Sequence, residues 1–232
     1  MEQLFPSLRV TGLLALFGAL LYAIGDVLLL ASKASLDQYP KLKPFAKLLS
    51  DAEKMVVLPP NRMIWGALLG VFATPLVLAG IWQVYQGLNG ADEPLTLVTG
   101  LLFGVGLVIG AFVHGTFYYM GEYIQALNKV EDSSQPVIAG MIERHRKVLL
   151  ITYAPVILSI LIASILFSVL VASGRTAFPV WMAAINPVTM TIAWLLIKQI
   201  LPQFVRDWTE GAGFNIAFLV FFACTTATLW NQ

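Results

Sequence analysis

Six stretches of this chain come close to the run of about 20 mostly apolar residues that carries a helix across the hydrocarbon core of a bilayer. They lie at about 10–32, 63–86, 95–127, 148–173, 178–201 and 213–230. In lipid, a backbone must satisfy its own N–H and C=O groups, and a single segment does that only as a helix. The expected fold is therefore all-α: a polytopic transmembrane bundle of six helices in a single integral membrane domain over residues 1–232. The third stretch would be about 50 Å long at 1.5 Å per residue, so its last turns must tilt or project from the core.

Composition agrees. Apolar residues make up 58% and charged residues 12%, where a soluble domain has roughly a quarter charged. A net charge of +1, with no basic run interleaved with aromatics, argues against nucleic-acid binding. The one cysteine, Cys224, permits no disulfide within the chain and no zinc pattern. There is no Gly-rich phosphate loop and no GxSxG, so neither a cofactor nor a metal is expected. Arg9, the apolar run after it and Ala31-Ser32-Lys33-Ala34 loosely resemble a signal peptide. The run reaches Leu30, however, which is spanning length, and retention is expected.

Basic residues set the orientation. The first connection holds Lys33, Lys41, Lys43, Lys47, Lys54 and Arg62, and the third Lys129, Arg144, Arg146 and Lys147. Arg206 falls in the fifth, with Lys198 just before it, whereas the other side has only Arg9 and Arg175. The imbalance places the odd-numbered connections in the cytoplasm and both termini outside, in an inner or plasma membrane. Within the first connection, Leu42, Phe45, Leu49, Ala52 and Val56 fall at helical spacing, opposite Lys43, Lys47, Ser50, Asp51 and Lys54. That pattern is expected to form an amphipathic helix on the inner leaflet or a loop helix packed on the bundle, ended by Pro59-Pro60.

Orientation assigns depth to the polar residues. Asp26 lies about 24 Å from the outer end of the first stretch, and His114 about 28 Å down the third. His114, Tyr118 and Glu122 recur every four residues on one helix face. Tyr153, Lys198 and Asn215 fall at a similar inner level on three further stretches. Ionisable groups at such depth are costly and pair with one another or face a cavity. Asp26 with His114 and Glu122 with Lys198 are the expected pairs. Each residue also has a plain reading: Glu122 solvated at the interface, Lys198 snorkelling, the tyrosines an aromatic belt, His114 a helix–helix hydrogen bond. Gly106 and Gly110 lie above His114 on its face, and Gly100 with Gly104 forms a second small pair. These imply a tight outer seam over a wider inner pocket. Asn186-Pro187 reads as a kink in the fifth stretch, with Pro75 and Pro155 acting alike.

The expected function is an intramembrane polar pocket for a lipid-like or small amphipathic ligand. In an enzymatic form, His114, Glu122 and Asp26 act as acid and base, while Tyr118, Tyr153, Lys198 and Asn215 contact the ligand. The alternatives are a proton-linked transporter or channel and a membrane scaffold or assembly protein. Membrane lipids are the expected partners, with a homo-oligomer open. RVTGLLALFGALLYAIGDVLLL, HGTFYYMGEY and GAGFNIAFLVFFA together resemble a group of uncharacterised bacterial multi-pass membrane proteins. The resemblance implies a six-helix bundle and no particular activity.

Overall fold

The computed structural model describes residues 7–50 and 52–231, and every regular element among them is helical. The α-helices are α1 (Leu8–Leu30), α2 (Ala46–Leu49), α3 (Pro60–Gly87), α4 (Glu93–Lys129), α5 (Gln135–Ala172), α6 (Pro187–Ile200), α7 (Gln203–Trp208) and α8 (Gly213–Thr228). Four of them, α1, α3, α4 and α5, are long and apolar enough to cross a membrane. α6 and α8 are apolar but shorter, at 14 and 16 residues. They measure about 21 and 24 Å, against a hydrocarbon core of about 30 Å.

The helices close into a ring. α1 packs on α3, α3 on α4 and α4 on α5; α1 also packs on α8, and α8 on α6. α6 and the 3₁₀ turn Val180–Ala184 return to α5. Small residues set the closest approach: a Cβ on Gly25 would stand 2.7 Å from the Gly66 carbonyl oxygen, and one on Gly80 2.3 Å from Ala15 Cβ. Side chains interlock above and below these contacts. Phe103, Phe167, Phe221 and Phe222 are among the large members of one apolar cluster, while Leu42, Met55, Met63, Ile124, Leu127 and Ile142 belong to a second.

That second cluster explains what became of the first connection. It is no single amphipathic helix but a series of short pieces: 3₁₀ turns at Leu36–Gln38, Pro40–Phe45 and Ala52–Val57, with α2 between the last two. Pro40 and Pro44 have no N–H to give a helix, and Ser50 ends α2 in the left-handed region at φ 45°. Asp51, expected on the polar face, lies outside the described residues. The segment turns Leu42, Leu49 and Met55 onto the ends of α4 and α5. Those two helices project together, because α5 begins at Gln135, thirteen residues before the expected span.

Polar contacts gather the three basic connections at one end of the molecule. Lys41 lies 3.8 Å from Asp132 and donates to the Val130 carbonyl, and Arg146 donates to the carbonyls of Lys47 and Leu48. Lys33–Asp207 at 3.3 Å and Lys54–Glu210 at 2.8 Å bring in the connection before α8. Arg9 lies at the opposite end, over the Trp230 ring.

Asn186-Pro187 begins a helix rather than kinking one. The Asn186 side chain accepts from the N–H groups of Val188 and Thr189, and Pro187 takes the first turn, where no N–H is needed. Its amide donates to Ser168 Oγ, which donates to the Ala183 carbonyl, so this non-helical backbone is satisfied inside protein. Pro75 and Pro155 lie inside the continuous helices α3 and α5.

Candidate functional site: a buried carboxylate, imidazole and amide

α1 carries Asp26 four residues after Tyr22, so both face α3, α4 and α8. α4 brings in His114, and α8 Asn215. Asp26 and His114 are 8% and 6% exposed. His114 Nε2 lies 3.1 Å from Asp26 Oδ1, and Asn215 Nδ2 donates to Asp26 Oδ2 at 2.6 Å. On its other side, His114 Nδ1 lies 3.2 Å from the Ala67 carbonyl oxygen of α3. Four helices thus contribute to one chain of hydrogen bonds.

The chemistry of the acceptors limits the protonation states. A backbone carbonyl only accepts, so Nδ1 carries a proton. Nε2 faces a carboxyl oxygen, and a lone pair against a lone pair would repel. One more proton must therefore lie between Nε2 and Oδ1, either on imidazolium facing carboxylate or on carboxylic acid facing neutral imidazole. Both states satisfy every partner in the chain, and a shift of that proton along the 3.1 Å Nε2–Oδ1 hydrogen bond interconverts them without a change of rotamer. Neither ring nitrogen is left over for a ligand, so His114 acts on anything else through Asp26.

The ring fits because two neighbours lack side chains. A Cβ on Gly70 would stand 2.4 Å from His114 Cγ and Nδ1, and one on Gly25 3.0 Å from Cε1. Tyr22 meets the imidazole edge-on at a 5.3 Å centroid distance, and its hydroxyl pairs with Thr74 Oγ1 at 2.6 Å. Thr74 in turn donates to the Gly70 carbonyl at 3.0 Å.

A cavity of about 190 Å³ opens beside this array. Tyr22, Asp26, His114, Tyr153 and Asn215 supply its polar wall, and Gly106, Gly110, Val156, Ile160 and Phe214 are among the rest. Gly106 is tight against α5, where a Cβ would meet Ser159 Oγ at 2.7 Å. Gly110 has nothing within 4 Å of such a Cβ and leaves the space open.

Four of the seven residues singled out in the sequence therefore share this cavity: Asp26, His114, Asn215 and Tyr153. The other three do not line it. Tyr118 and Glu122 lie one and two turns further along α4, where Tyr118 packs on the second apolar cluster. No ion pair joins Glu122 to Lys198 among the described residues, because α6 packs on α8 and α5 and not on α4. The pocket extends to both sides of His114, from Gly106 and Gly110 above it to Phe117, Leu30 and Gly211 below. The expected tight seam holds at Gly106 but not at Gly100 and Gly104, which line an open groove.

Four participants escaped the sequence reading. Tyr22 had a signal, its position one turn before Asp26. Gly66 and Gly70, four residues apart on α3, had another. Arg62 was counted only as a loop charge, yet it donates to the carbonyls of Val27, Leu28 and Ala31. It thereby satisfies the last turn of α1 and neutralises that negative helix end just beyond Asp26. A separate buried amide, Gln83, donates to the Leu8 carbonyl and accepts from Thr225 and Thr226.

Fold and site together define an all-helical protein with four helices of membrane-crossing length and apolarity, and a cluster of polar side chains buried among its helices. The chain belongs to a family of unknown function, DUF6796, whose family model matches residues 1–232. No curated protein and no solved structure matches it.

Proposed function

We propose that this is a multi-pass membrane protein of the inner or plasma membrane, a single domain of six apolar helices whose cavity holds one end of a lipid-like or small amphipathic molecule. The observation that carries the reading is the asymmetry of the cavity wall, apolar except where Asp26, His114, Asn215, Tyr22 and Tyr153 meet. A volume of about 190 Å³ is below the 300–1,000 Å³ of pockets that enclose a drug-sized ligand. It suits a small polar group with a short apolar continuation. An acid–base step here would run through Asp26, with His114 taking up or returning the second proton. The basic end faces the cytoplasm under this reading, the first connection lies on the inner surface and both termini are outside.

Proton-linked transport has less support. Thr74 and Gln83 are nine residues apart on α3, about 13 Å, and Ala15, Ala19, Val77 and Phe222 fill the interface between these polar points.

Native mass spectrometry of the detergent-purified protein tests the proposal. Wild type is expected to retain a bound amphipath that Gly110→Leu, whose side chain enters the open space, loses. Equal retention by both proteins would refute it.

A further inference from the structure

A second recess lies at the other end of the molecule, away from the basic connections. Between α3 and α4 runs an apolar groove of about 800 Å³, with Leu78, Tyr85, Gly100, Leu101, Gly104 and Val108 among its walls. It exists because two glycines stand where side chains would fill it: a Cβ on Gly104 would find only Leu78 Cδ2, at 3.9 Å. Along α4 it extends from Leu97 to Ile109, about 18 Å at 1.5 Å per residue. One leaflet of a bilayer has a hydrocarbon depth of about 15 Å.

At Tyr85 the groove meets a polar pocket of about 350 Å³, whose walls include Tyr85, Asn89, Glu93 and Thr96. Thr96 is 3% exposed, and its Oγ1 has no hydrogen-bond partner among the described residues. A buried hydroxyl left in that state is costly unless something else bonds it. Glu93 is the charged residue of the pocket, and neither Lys nor Arg lines it. Arg175 reaches the same turn through its backbone carbonyl, beside Gly90. Tyr85 stacks on Trp82 at 5.6 Å between the two recesses. This is an aromatic step of the kind found where acyl chains meet headgroups.

We infer that this paired recess is a lipid-binding site: the groove between α3 and α4 takes one acyl chain, and the pocket takes an amine-bearing headgroup. The ammonium lies against the Glu93 carboxylate, and Thr96 Oγ1 hydrogen-bonds a headgroup or ester oxygen. Groove and pocket share Tyr85, so chain and headgroup belong to one molecule. The carboxylate selects against an anionic headgroup without a compensating amine. The inference rests on the membrane placement proposed above, and it is independent of what the His114 cavity holds.

The test reconstitutes the full chain in nanodiscs of equal phosphatidylethanolamine and phosphatidylglycerol, then releases it and weighs retained lipid by native mass spectrometry. Wild type is expected to keep phosphatidylethanolamine at least ten-fold over phosphatidylglycerol. Gly104→Leu, which fills the groove, is expected to lose retention of both lipids. Glu93→Gln and Thr96→Val leave the groove intact and are expected to reduce the preference for the amine at least five-fold. Equal phosphatidylethanolamine retention by wild type and Gly104→Leu would overturn the site. A preference untouched by Glu93→Gln would overturn the headgroup assignment. A dimer that Gly104→Leu dissolves would give the groove to a second copy of the chain. Recovery of the chain in detergent-free aqueous extract would refute the membrane placement itself, an outcome distinct from all of these.

Discussion

Replacing Asp26 separates a hydrogen-bonding role for its side chain from mere filling of space. In Asp26→Leu, two polar groups lose their partner, His114 Nε2 and the part-buried Asn215 Nδ2–H. Each orphaned group costs about 1–3 kcal/mol, so the pair costs about 2–6 kcal/mol. Breaking a buried ion pair by removing one partner falls in the same range, about 3–5 kcal/mol. In a bilayer the unfolded reference also finds partners, which draws the expectation toward the low end, about 2 kcal/mol. Asp26→Asn behaves differently. Its amide oxygen can accept from Asn215, and its NH₂ can donate to the Nε2 of a neutral ring whose Nδ1–H still faces Ala67. Every partner stays satisfied, and the cost is expected to be about 1 kcal/mol or less. The assay is unfolding in mixed detergent micelles, followed by tryptophan fluorescence, with imidazole ¹⁵N shifts recorded on the same samples. Asp26→Asn is expected to be clearly the more stable of the two and to hold His114 in its Nδ1–H tautomer. Equal destabilisation by Leu and Asn, or a ring protonated on Nε2 alone, would refute the hydrogen-bond argument.

Three further outcomes are expected. Gly70→Ala places a methyl 2.4 Å from the His114 ring and should cost about 1–3 kcal/mol by overpacking, whereas Gly110→Ala enters open space and should leave the unfolding midpoint unchanged. Arg62→Met removes three bonds to the end of α1 and should cost about 1.5–3 kcal/mol in the same assay; Arg62→Lys should rescue it only in part, since one ammonium cannot reproduce the fork. In a Cys224→Ser background, a cysteine at Asn89 should react with a membrane-impermeant maleimide in intact cells and one at Ser134 should not; the reverse pattern would invert the topology.

Much of the architecture was legible because it follows from local pattern. An apolar run of spanning length dictates a helix whatever surrounds it, and α1, α3 and α4 begin and end within three residues of the sequence estimate. The level of Asp26 and His114 was legible for a similar reason, since a helix advances a fixed distance per residue. Less local features were harder to read. α5 extends thirteen residues toward its N-terminus because Ile142 finds an apolar partner surface that the first connection provides. That connection breaks into short turns at Pro40, Pro44 and Ser50 to provide it.

The sequence by itself determined the helical class, the apolar lengths, the gathering of basic residues into particular connections and the common level of Asp26 and His114, because each of these is a property of one segment and its count of residues. Tertiary structure alone decided which groups meet. Helix rotation and neighbour order set Asp26 against His114 and Asn215, seat the imidazole between Gly25 and Gly70, and keep Glu122 apart from Lys198. Rotation and order depend on how small and large side chains interlock across separate helices, and that information is spread over the whole chain.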